Sequence, residues 1–302
     1  MPQYRAHFDA HIEFSNGGDL TAREFRLDLP SADAPVEQLL VQHLGLALVS
    51  KVELTNLSVV EEAHKGSRGV STGSTSGSTT PATRLIDLSH VIHDGLITYP
   101  GLPAPSFTSW LTREDSKARY APGTEFAMDV ITMIGNTGTY LDSPFHRYEG
   151  GTDLAGLALE TLVDQPTEVF HLSDSLERGI PASVFWDRDV AGKAVLLHTG
   201  WSRHFGTPEY LAGAPFLTGD GVDYLISQGV TMVGIDSLNI DDTESGGERP
   251  AHTGFLAAGI HVVEHLRGLE QLPPSGALFS AVPPKVEGFG TFPVRAYARV
   301  LL

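Results

Sequence analysis

Residues 135–146 read GNTGTYLDSPFH, and this stretch decides how the rest of the chain is interpreted. It follows a strand-like run at 126–134 and contains two glycines, a proline, a carboxylate and a histidine. Gly135 and Gly138 permit a backbone with positive φ, and the proline favours an extended residue before it, so one defined loop shape is predicted. Loops at strand ends often carry functional side chains. The alternative is a structural turn whose polar side chains satisfy nearby backbone groups.

The composition narrows the classes of function. The 302 residues are enough for one large domain or two smaller ones. A net charge of -17 argues against a nucleic-acid or anionic-membrane surface, because binding phosphates requires clustered Lys and Arg. The chain has no cysteine, so any metal would be bound by His, Asp, Glu or water. Neither a signal sequence nor a long apolar run is recognised, and a cytoplasmic protein is expected.

Residues 1–65 predict a small ββαβ domain. Apolar and polar residues alternate over 6–14 and again over 24–29, which is typical of two half-buried strands joined as a hairpin. A helix follows, and residues 52–60 then predict a third strand. A unit of this size buries little apolar surface, so it is interpreted as an accessory domain without chemistry of its own.

The sequence indicates where the helix of this domain begins and how far it extends. Ser31 or Asp33 is predicted to cap the helix, with Pro35 in its first turn and leucines extending to Leu48.

Residues 66–83 are rich in Gly, Ser and Thr, and such a segment cannot bury enough apolar surface to fold. A linker is therefore predicted between residues 1–65 and 84–302.

The larger domain, 84–302, is predicted to be α/β with a mixed sheet, because strand-like and helix-like segments alternate after residue 167. The strands are predicted at 106–111, 126–134, 167–172, 194–198, 230–235 and 294–301, and the helices at 157–162, 181–186 and 219–228. Further along, 252–258 predicts a helix that Gly259 ends, and 260–266 predicts a strand. A reversal at Gly259 would bring His252 and Glu264 together.

Several motifs of the larger domain resemble the cyclase family of metal-dependent hydrolases, which includes bacterial kynurenine formamidases and isatin hydrolases. The matching pieces are IDLSH at 86–90, YPGLP at 99–103, TGTYLDSPFH at 137–146, LLHTGW at 196–201, VGID at 233–236, and the pair His252 with Glu264. The resemblance implies a swivelling β/β/α fold, a homodimer or higher homo-oligomer, and hydrolysis of an amide or related bond in a small molecule by metal-activated water.

The sequence departs from the family at two metal-ligand positions. The family loop is His-Thr-Gly-Thr-His-x-Asp-x-Pro-x-His, in which the first two histidines and the aspartate hold metal. Those positions are Asn136, Tyr140 and Asp142 in this chain. The resemblance retains Asp142, His252 and Glu264, which could hold one divalent cation. The carboxylates suit manganese or magnesium better than a structural zinc.

Three hypotheses follow from these residues. In the first, one divalent cation (Mn, Zn or Mg) on Asp142, His252 and Glu264 activates water, His146 transfers a proton, and Tyr140 is a weak ligand or a hydrogen-bond donor to the oxyanion. The second is a metal-free enzyme for ring closure, dehydration or isomerisation, which uses the same residues and Asn136 as an acid/base set. The third is a non-catalytic binding module.

Further residues are interpreted around this centre. Tyr99, Phe107 and Trp201 are predicted to form aromatic walls for a planar substrate, although core packing explains them equally well. The resemblance gives Asp236 a role in supporting the site from behind. The acidic segment at 241–248 is predicted to be a surface loop that could act as a lid.

Overall fold

The structure is a computed structural model that describes residues 3–44, 46, 48–62 and 83–301. The chain divides into two units, Met1–Ser78 and Thr79–Leu302. The predicted linker at 66–83 lies outside the described residues except for Thr83, so its boundaries stay a prediction. Among the helices in the described ranges, none has the length and hydropathy needed to cross a bilayer.

The first unit has the predicted ββαβ order. Its elements are β1 (Gln3–Phe14), β2 (Asp19–Leu29), α1 (Val36–His43) and β3 (Val49–Glu62). The strands form an antiparallel sheet in the order β2-β1-β3. From Ala6 to Ile12 every second residue of β1 is buried, and these side chains pack with β2 and α1. This core consists of Ala6, Phe8, Ala10, Ile12, Leu27, Leu29, Val36 and Leu40.

The predicted cap and length of α1 are wrong. The N-cap residue is Pro35, without a side-chain cap. Asp33 bonds with Ser31 instead, and this hydrogen bond lowers the pKa of the Asp33 carboxyl. The helix ends at His43, because the chain then turns toward β3, and Leu48 is 63% exposed with φ of 61°.

The second unit contains one large sheet, two separate strand pairs and three α-helices among the described residues. In chain order its elements are β4 (Thr83–Asp87), β5 (Ser106–Leu111), α2 (Arg113–Ser116), β6 (Met128–Thr132), β7 (Tyr140–Asp142), β8 (Gln165–His171), β9 (Gly179–Ile180), β10 (Ala194–His198), β11 (Phe216–Leu217), α3 (Gly219–Ser227), β12 (Met232–Ile235), α4 (Pro250–Ala257), β13 (His261–Glu264), β14 (Ser275–Ser280), β15 (Thr291–Pro293) and β16 (Tyr297–Leu301). The large sheet has the order β15-β7-β13-β12-β10-β8-β14-β16-β4. Strands β5 with β6, and β9 with β11, form two separate pairs.

The centre of the large sheet is parallel and buried on both faces. Strands β8, β10, β12 and β13 run parallel, whereas the strands on either side of them pair antiparallel. All residues of β10 and β12 are buried, as expected for parallel strands covered on both faces. Leu196 packs into the cluster on one face, and Val195 and Leu197 into the cluster that contains α3 and α4. The predicted α/β class with a mixed sheet is confirmed.

Some predicted elements of this unit are shorter than expected. The helices predicted at 157–162 and 181–186 are single 3-10 turns, Leu159–Thr161 and Ala182–Phe185. The strand predicted at 126–134 is only β6, because pairing with β5 ends at Met128 and Thr132. Few consecutive apolar residues face the core in either 3-10 turn, so there is no stripe on which a longer helix could pack.

We expect His261→Gln to reduce the acid sensitivity of the second unit. His261 is 4% exposed and its Nε2 lies 3.0 Å from Thr161 Oγ1. Burial lowers its pKa from 6.5 to about 4. Between those pH values the unfolded chain binds more protons, so the free energy of unfolding falls as the pH drops from 6.5 toward 4, by up to about 3 kcal/mol.

Urea unfolding at pH 7, 6 and 5 measures this dependence, since glutamine cannot titrate and can keep the bond to Thr161. The exposed His93→Gln is the matched control for loss of an imidazole. Equal slopes of unfolding free energy against pH in wild type and His261→Gln would contradict the assignment.

Candidate active site

Strand β7 positions the side chains predicted to carry the chemistry. It lies between β13 and β15, with Tyr140 opposite Glu264 and Asp142 opposite Thr291. Because side chains of a strand alternate, Tyr140 and Asp142 share one face, and Leu141 points into the core on the other. The predicted loop is therefore partly a strand. Gly138, with φ of 63°, makes the turn into it, and its N–H donates to Thr98 Oγ1.

Two glycines allow the segments around β7 and β15 to meet backbone to backbone. A Cβ on Gly290 would lie 2.3 Å from the His146 nitrogen, and one on Gly135 would lie 2.3 Å from the Thr291 oxygen. Ser143 N–H donates to Gly290 O at 2.7 Å across the same contact. The position of His146 relative to β15 thus depends on the lack of a side chain at Gly290.

Asp142 is the centre of a buried cluster of carboxylates and imidazoles. It is fully buried, and the Thr291 hydroxyl donates to its Oδ1. His146 Nδ1 lies 2.7 Å from the same hydroxyl oxygen and 3.7 Å from Asp142 Oδ1. His252 Nε2 lies 3.5 Å from Asp142 Oδ2. Thr291 and His252, which are distant in the chain, therefore meet Asp142 and its neighbour His146 at one carboxylate.

His252 is held by Asp241, a residue that the sequence analysis assigned to a surface loop. Asp241 is 1% exposed, and its Oδ2 lies 2.6 Å from His252 Nδ1. Its carboxylate also accepts from the backbone N–H groups of Ala251 and His252. The assignment of Asp241 to a surface loop is wrong. Asp241 lies nine residues before Pro250, the first residue of α4, so its local sequence did not reveal that it accepts from N–H groups at the start of this helix.

The reversal predicted at Gly259 is present and brings Glu264 to the cluster. Gly259 follows α4 with φ of 74°, and Glu264 Oε1 lies 3.7 Å from His252 Nε2. Both oxygens of Glu264 have protein partners, because Oε1 accepts from the Ile240 N–H and Oε2 from the Tyr140 hydroxyl, each at 2.6 Å. Both carboxylate oxygens of Glu264 therefore already accept hydrogen bonds from within the chain.

The charges of this cluster stabilise one another. Burial raises the pKa of Asp142, but the 3.5 Å contact with His252 and the charges of His146 and His252 outweigh it, so the pKa of Asp142 is lowered. Burial opposes protonation of His252, yet Glu264, Asp142 and Asp241 raise its pKa well above the usual value. Burial and the charge of Asp142 raise the pKa of Glu264 to about 7. Asp142 is thus the ionised member and Glu264 the more easily protonated one.

Tyr140 is a hydrogen-bond donor rather than a phenolate. Burial first, and then the charge of Glu264, raise its pKa well above the usual value. A neutral phenol cannot compete with imidazole for a cation. The Tyr140 hydroxyl holds Glu264, and its predicted roles as a weak ligand or as a donor to the oxyanion stay predictions.

The donor atoms of the cluster fit a divalent cation. Asp142 Oδ2 is buried and has no hydrogen-bond partner. Ligand atoms of Asp142, His146 and His252 lie within 4.8 Å of one another. This set exchanges the predicted Glu264 for His146, and two imidazoles with one carboxylate suit zinc or manganese. Asp142 and His252 are common to the predicted set and to this one.

A cavity of about 340 Å³ opens onto the cluster. Its lining comprises Tyr99, Leu102, Asn136, Tyr140, His146, Arg147, Asn239, Arg249, His252 and Glu264. Tyr99 donates to Leu238 O at 2.5 Å and accepts from Asn239, which fixes its ring in the wall. The predicted positions of Asn136 and Tyr99 beside the cluster agree with this lining.

Three other predicted residues lie elsewhere. Phe107 is 40% exposed on β5, and Trp201 donates from Nε1 to Tyr210 O, and neither lines this cavity. Their roles in substrate binding stay predictions. Asp236 accepts from the Thr199 N–H and hydroxyl and the Gly200 N–H, while burial raises its pKa to about 6. It thus fixes the turn after β10 and bonds no member of the cluster.

Comparison with known proteins shows that this chain is similar to the cyclase family in both sequence and structure. Residues 86–242 match the cyclase family model, described as "Putative cyclase". Kynurenine formamidase of Geobacillus thermodenitrificans (strain NG80-2) is 29% identical over 216 residues, covering 71% of this chain and 96% of that protein. An isatin hydrolase bound to the product analogue thioisatinate is 23% identical with a TM-score of 0.63, covering 73% of this chain and 93% of that one.

A second solved structure is described as a potential metal-dependent hydrolase with cyclase activity. It is 27% identical with a TM-score of 0.59, and the match covers 72% of this chain and 98% of that one. These matches confirm the swivelling β/β/α fold that the motifs implied.

We expect Gly290→Ala to damage the site and lower stability. The new methyl group would overlap the His146 backbone, so β15 and the His146 turn must separate, which should cost roughly 1–3 kcal/mol. Thermal unfolding and turnover measure the two effects. Gly150→Ala is the matched control, because its methyl group would meet no atom within 4 Å. Wild-type stability and activity in Gly290→Ala would disprove the close approach.

Proposed function

Because the chain belongs to the cyclase family, we propose that it hydrolyses an amide or lactam C–N bond of a small molecule with the aid of one divalent cation. The names of the relatives, kynurenine formamidase and metal-dependent hydrolase, support this reaction class. In the reaction the oxygen of water adds to the carbonyl carbon, the C–N bond breaks, and the nitrogen leaves with a proton.

The observation that carries this proposal is the orphaned Oδ2 of Asp142. A buried carboxylate oxygen normally accepts a hydrogen bond, and leaving one unsatisfied costs free energy. His252 Nε2 faces it at 3.5 Å. The acids that raise the pKa of His252 favour any positive charge placed between them, a proton or a cation alike. A divalent cation held there would polarise the carbonyl and lower the pKa of water.

His252 is prepared for ligation by its contact with Asp241. The Asp241 carboxylate can only accept, so the 2.6 Å contact places a proton on His252 Nδ1 and leaves Nε2 toward Asp142. A carboxylate behind a ligating imidazole fixes its tautomer and raises its basicity. Asp241 is therefore a positioning residue for His252.

His146 is the proposed proton carrier. The Thr291 hydroxyl has one hydrogen, which it donates to Asp142, so its contact with His146 Nδ1 is one in which the imidazole donates. In the tautomer that donates from Nδ1, Nε2 can accept a proton, and the His146 side chain is 33% exposed in the lining of the cavity. From there it can take a proton from water and pass it to the leaving nitrogen.

A second candidate function is metal-independent acid/base chemistry, such as ring closure, dehydration or isomerisation. The pKa of Glu264, raised to about 7, favours it, because a carboxyl group near neutrality can act as a general acid. Tyr140 and Asn239 contact the same carboxyl group. The third hypothesis, a non-catalytic binding module, stays a prediction, as do the cytoplasmic location and the accessory role of residues 1–65.

The proposed homodimer has support from the β5–β6 pair. Its exposed apolar side chains include Phe107, Trp110, Met128 and Ile131, and Trp110 is 75% exposed. Apolar surface concentrated in this way commonly marks an interface.

We expect exhaustive chelation to abolish hydrolysis, and we expect the Asp142→Asn variant not to bind the divalent cation again when it is added back. The wild type should hold about one divalent ion per chain. An amide is a weaker ligand than a carboxylate, so the variant should lose most of this metal content. Metal analysis and turnover of N-formyl and lactam compounds are the measurements. The exposed Asp129→Asn on β6 is the control. Full activity after chelation would reject the cation and favour the metal-independent candidate.

His146→Gln separates the two roles available to His146. As the proton carrier its loss should lower kcat by roughly 10²–10⁴-fold while the cation content stays unchanged. The measurement is metal content together with kcat in the same preparation. Loss of the cation in this variant would instead make His146 a ligand and leave Glu264 outside the ligand set.

A further inference from the structure

The lining of the 340 Å³ cavity has a charge opposite to that of the chain. The chain has 37 acidic residues and 20 Lys and Arg, but the lining has Arg147 and Arg249 and one carboxylate, Glu264. Glu264 is fully buried and its oxygens accept from Tyr140 and Ile240. The lining thus offers two guanidinium groups to a ligand and no open carboxylate.

Arg249 is fixed with part of its guanidinium unoccupied. Its Nη1 donates to Asp242 O at 3.2 Å and to Glu248 O at 2.7 Å. Among the described residues no carboxylate oxygen lies within 4.0 Å of it, and the side chain is half-buried. Both partners are carbonyls, so the positive charge stays uncompensated. A guanidinium edge is well suited to two parallel hydrogen bonds with a carboxylate.

The place of Arg249 in the chain ties it to the reacting end of the cavity. It directly precedes Pro250, the first residue of α4, and His252 lies within the first turn of that helix. The guanidinium thus belongs to the residue that precedes the helix carrying His252, and both side chains line the cavity. Tyr99 and Leu102 add an aromatic and an aliphatic surface to the lining.

We propose that the substrate is an anionic molecule, with an apolar or aromatic body and a carboxylate that Arg249 binds, and without an ammonium group. The carboxylate is a second group, distinct from the bond that is cleaved. An ammonium group would meet the guanidinium groups of Arg147 and Arg249, and the one carboxylate of the lining, Glu264, already accepts hydrogen bonds within the protein. The inference deepens the proposed hydrolase activity and rests on it only for the identity of the cleaved bond.

Three formanilides that differ in the charge of the group at position 3 test the proposal: anionic 3-formamidobenzoate, neutral formanilide and cationic 3-(aminomethyl)formanilide. In each, water adds to the formyl carbon, the C–N bond breaks, and formate and the aniline leave. We expect kcat/KM to be at least about 10-fold higher for the anion than for the neutral compound, with the cation lowest. An order that places the cation or the neutral compound first would overturn the proposal.

Arg249→Gln identifies the residue responsible. The ratio of kcat/KM between the anionic and neutral compounds should fall by roughly 10–100-fold, mainly through KM, and Arg249→Lys should retain part of it. Arg113→Gln in α2 is the matched control and should leave the ratio unchanged. A ratio unaffected by Arg249→Gln would overturn the assignment. If this variant fails to fold, the wild-type series still decides the charge preference.

Binding measured without turnover separates this inference from the proposed function. Calorimetry of benzoate and benzylamine with the wild-type protein should show binding of benzoate alone, weakened about 10-fold or more in Arg249→Gln. That result with no hydrolysis of any formanilide would reject the hydrolase and keep the anion site. Hydrolysis of formanilides with equal binding of both ligands would reject the anion site and keep the hydrolase.

Discussion

The ionised carboxylate of Asp142 at zero exposure is the constraint on which the site depends. An uncompensated charge in a protein interior costs several kcal/mol, so positive and hydrogen-bonding groups must be delivered to it from other segments. Thr291, His146 and His252 fulfil this requirement, and they lower the pKa of Asp142 despite its burial. The order of elements from β13 to β15 can be understood as the means of bringing these groups together.

The sheet brings these groups to Asp142 because one short strand, β7, lies between two others. The three residues of β7 lie between β13 and β15, so each polar residue of β7 has a polar cross-strand partner. Parallel strands β10, β12 and β13 supply an apolar support on both faces. The site stands at the end of that support, next to α4, where loops can approach without interrupting the core. Stability and chemistry are thus assigned to neighbouring but different parts of one sheet.

Much of this arrangement follows from local patterns in the sequence. The apolar run at 194–198 predicts a buried strand, and Gly259 predicts the reversal that joins His252 to Glu264. Thr291 and Asp241 were missed because neither has a distinctive neighbourhood: a threonine on an edge strand and an aspartate among surface acids look ordinary. Their roles arise from cross-strand register and helix-end geometry, which depend on tertiary contacts. The brief 3-10 turns at 159–161 and 182–185 were overestimated for the same reason.

Because the side chains of β7 alternate between the two faces of the sheet, the number of residues in and before this strand matters as much as their identity. One residue added or removed between Gly138 and Tyr140, with the pairing of the flanking strands kept, would turn the position of Asp142 into the apolar cluster and that of Leu141 toward the cavity. When distant relatives are aligned, a gap inside this segment should therefore count as loss of the pocket, even where every acidic and imidazole letter is retained. Spacing, and not only identity, is what such an alignment has to preserve.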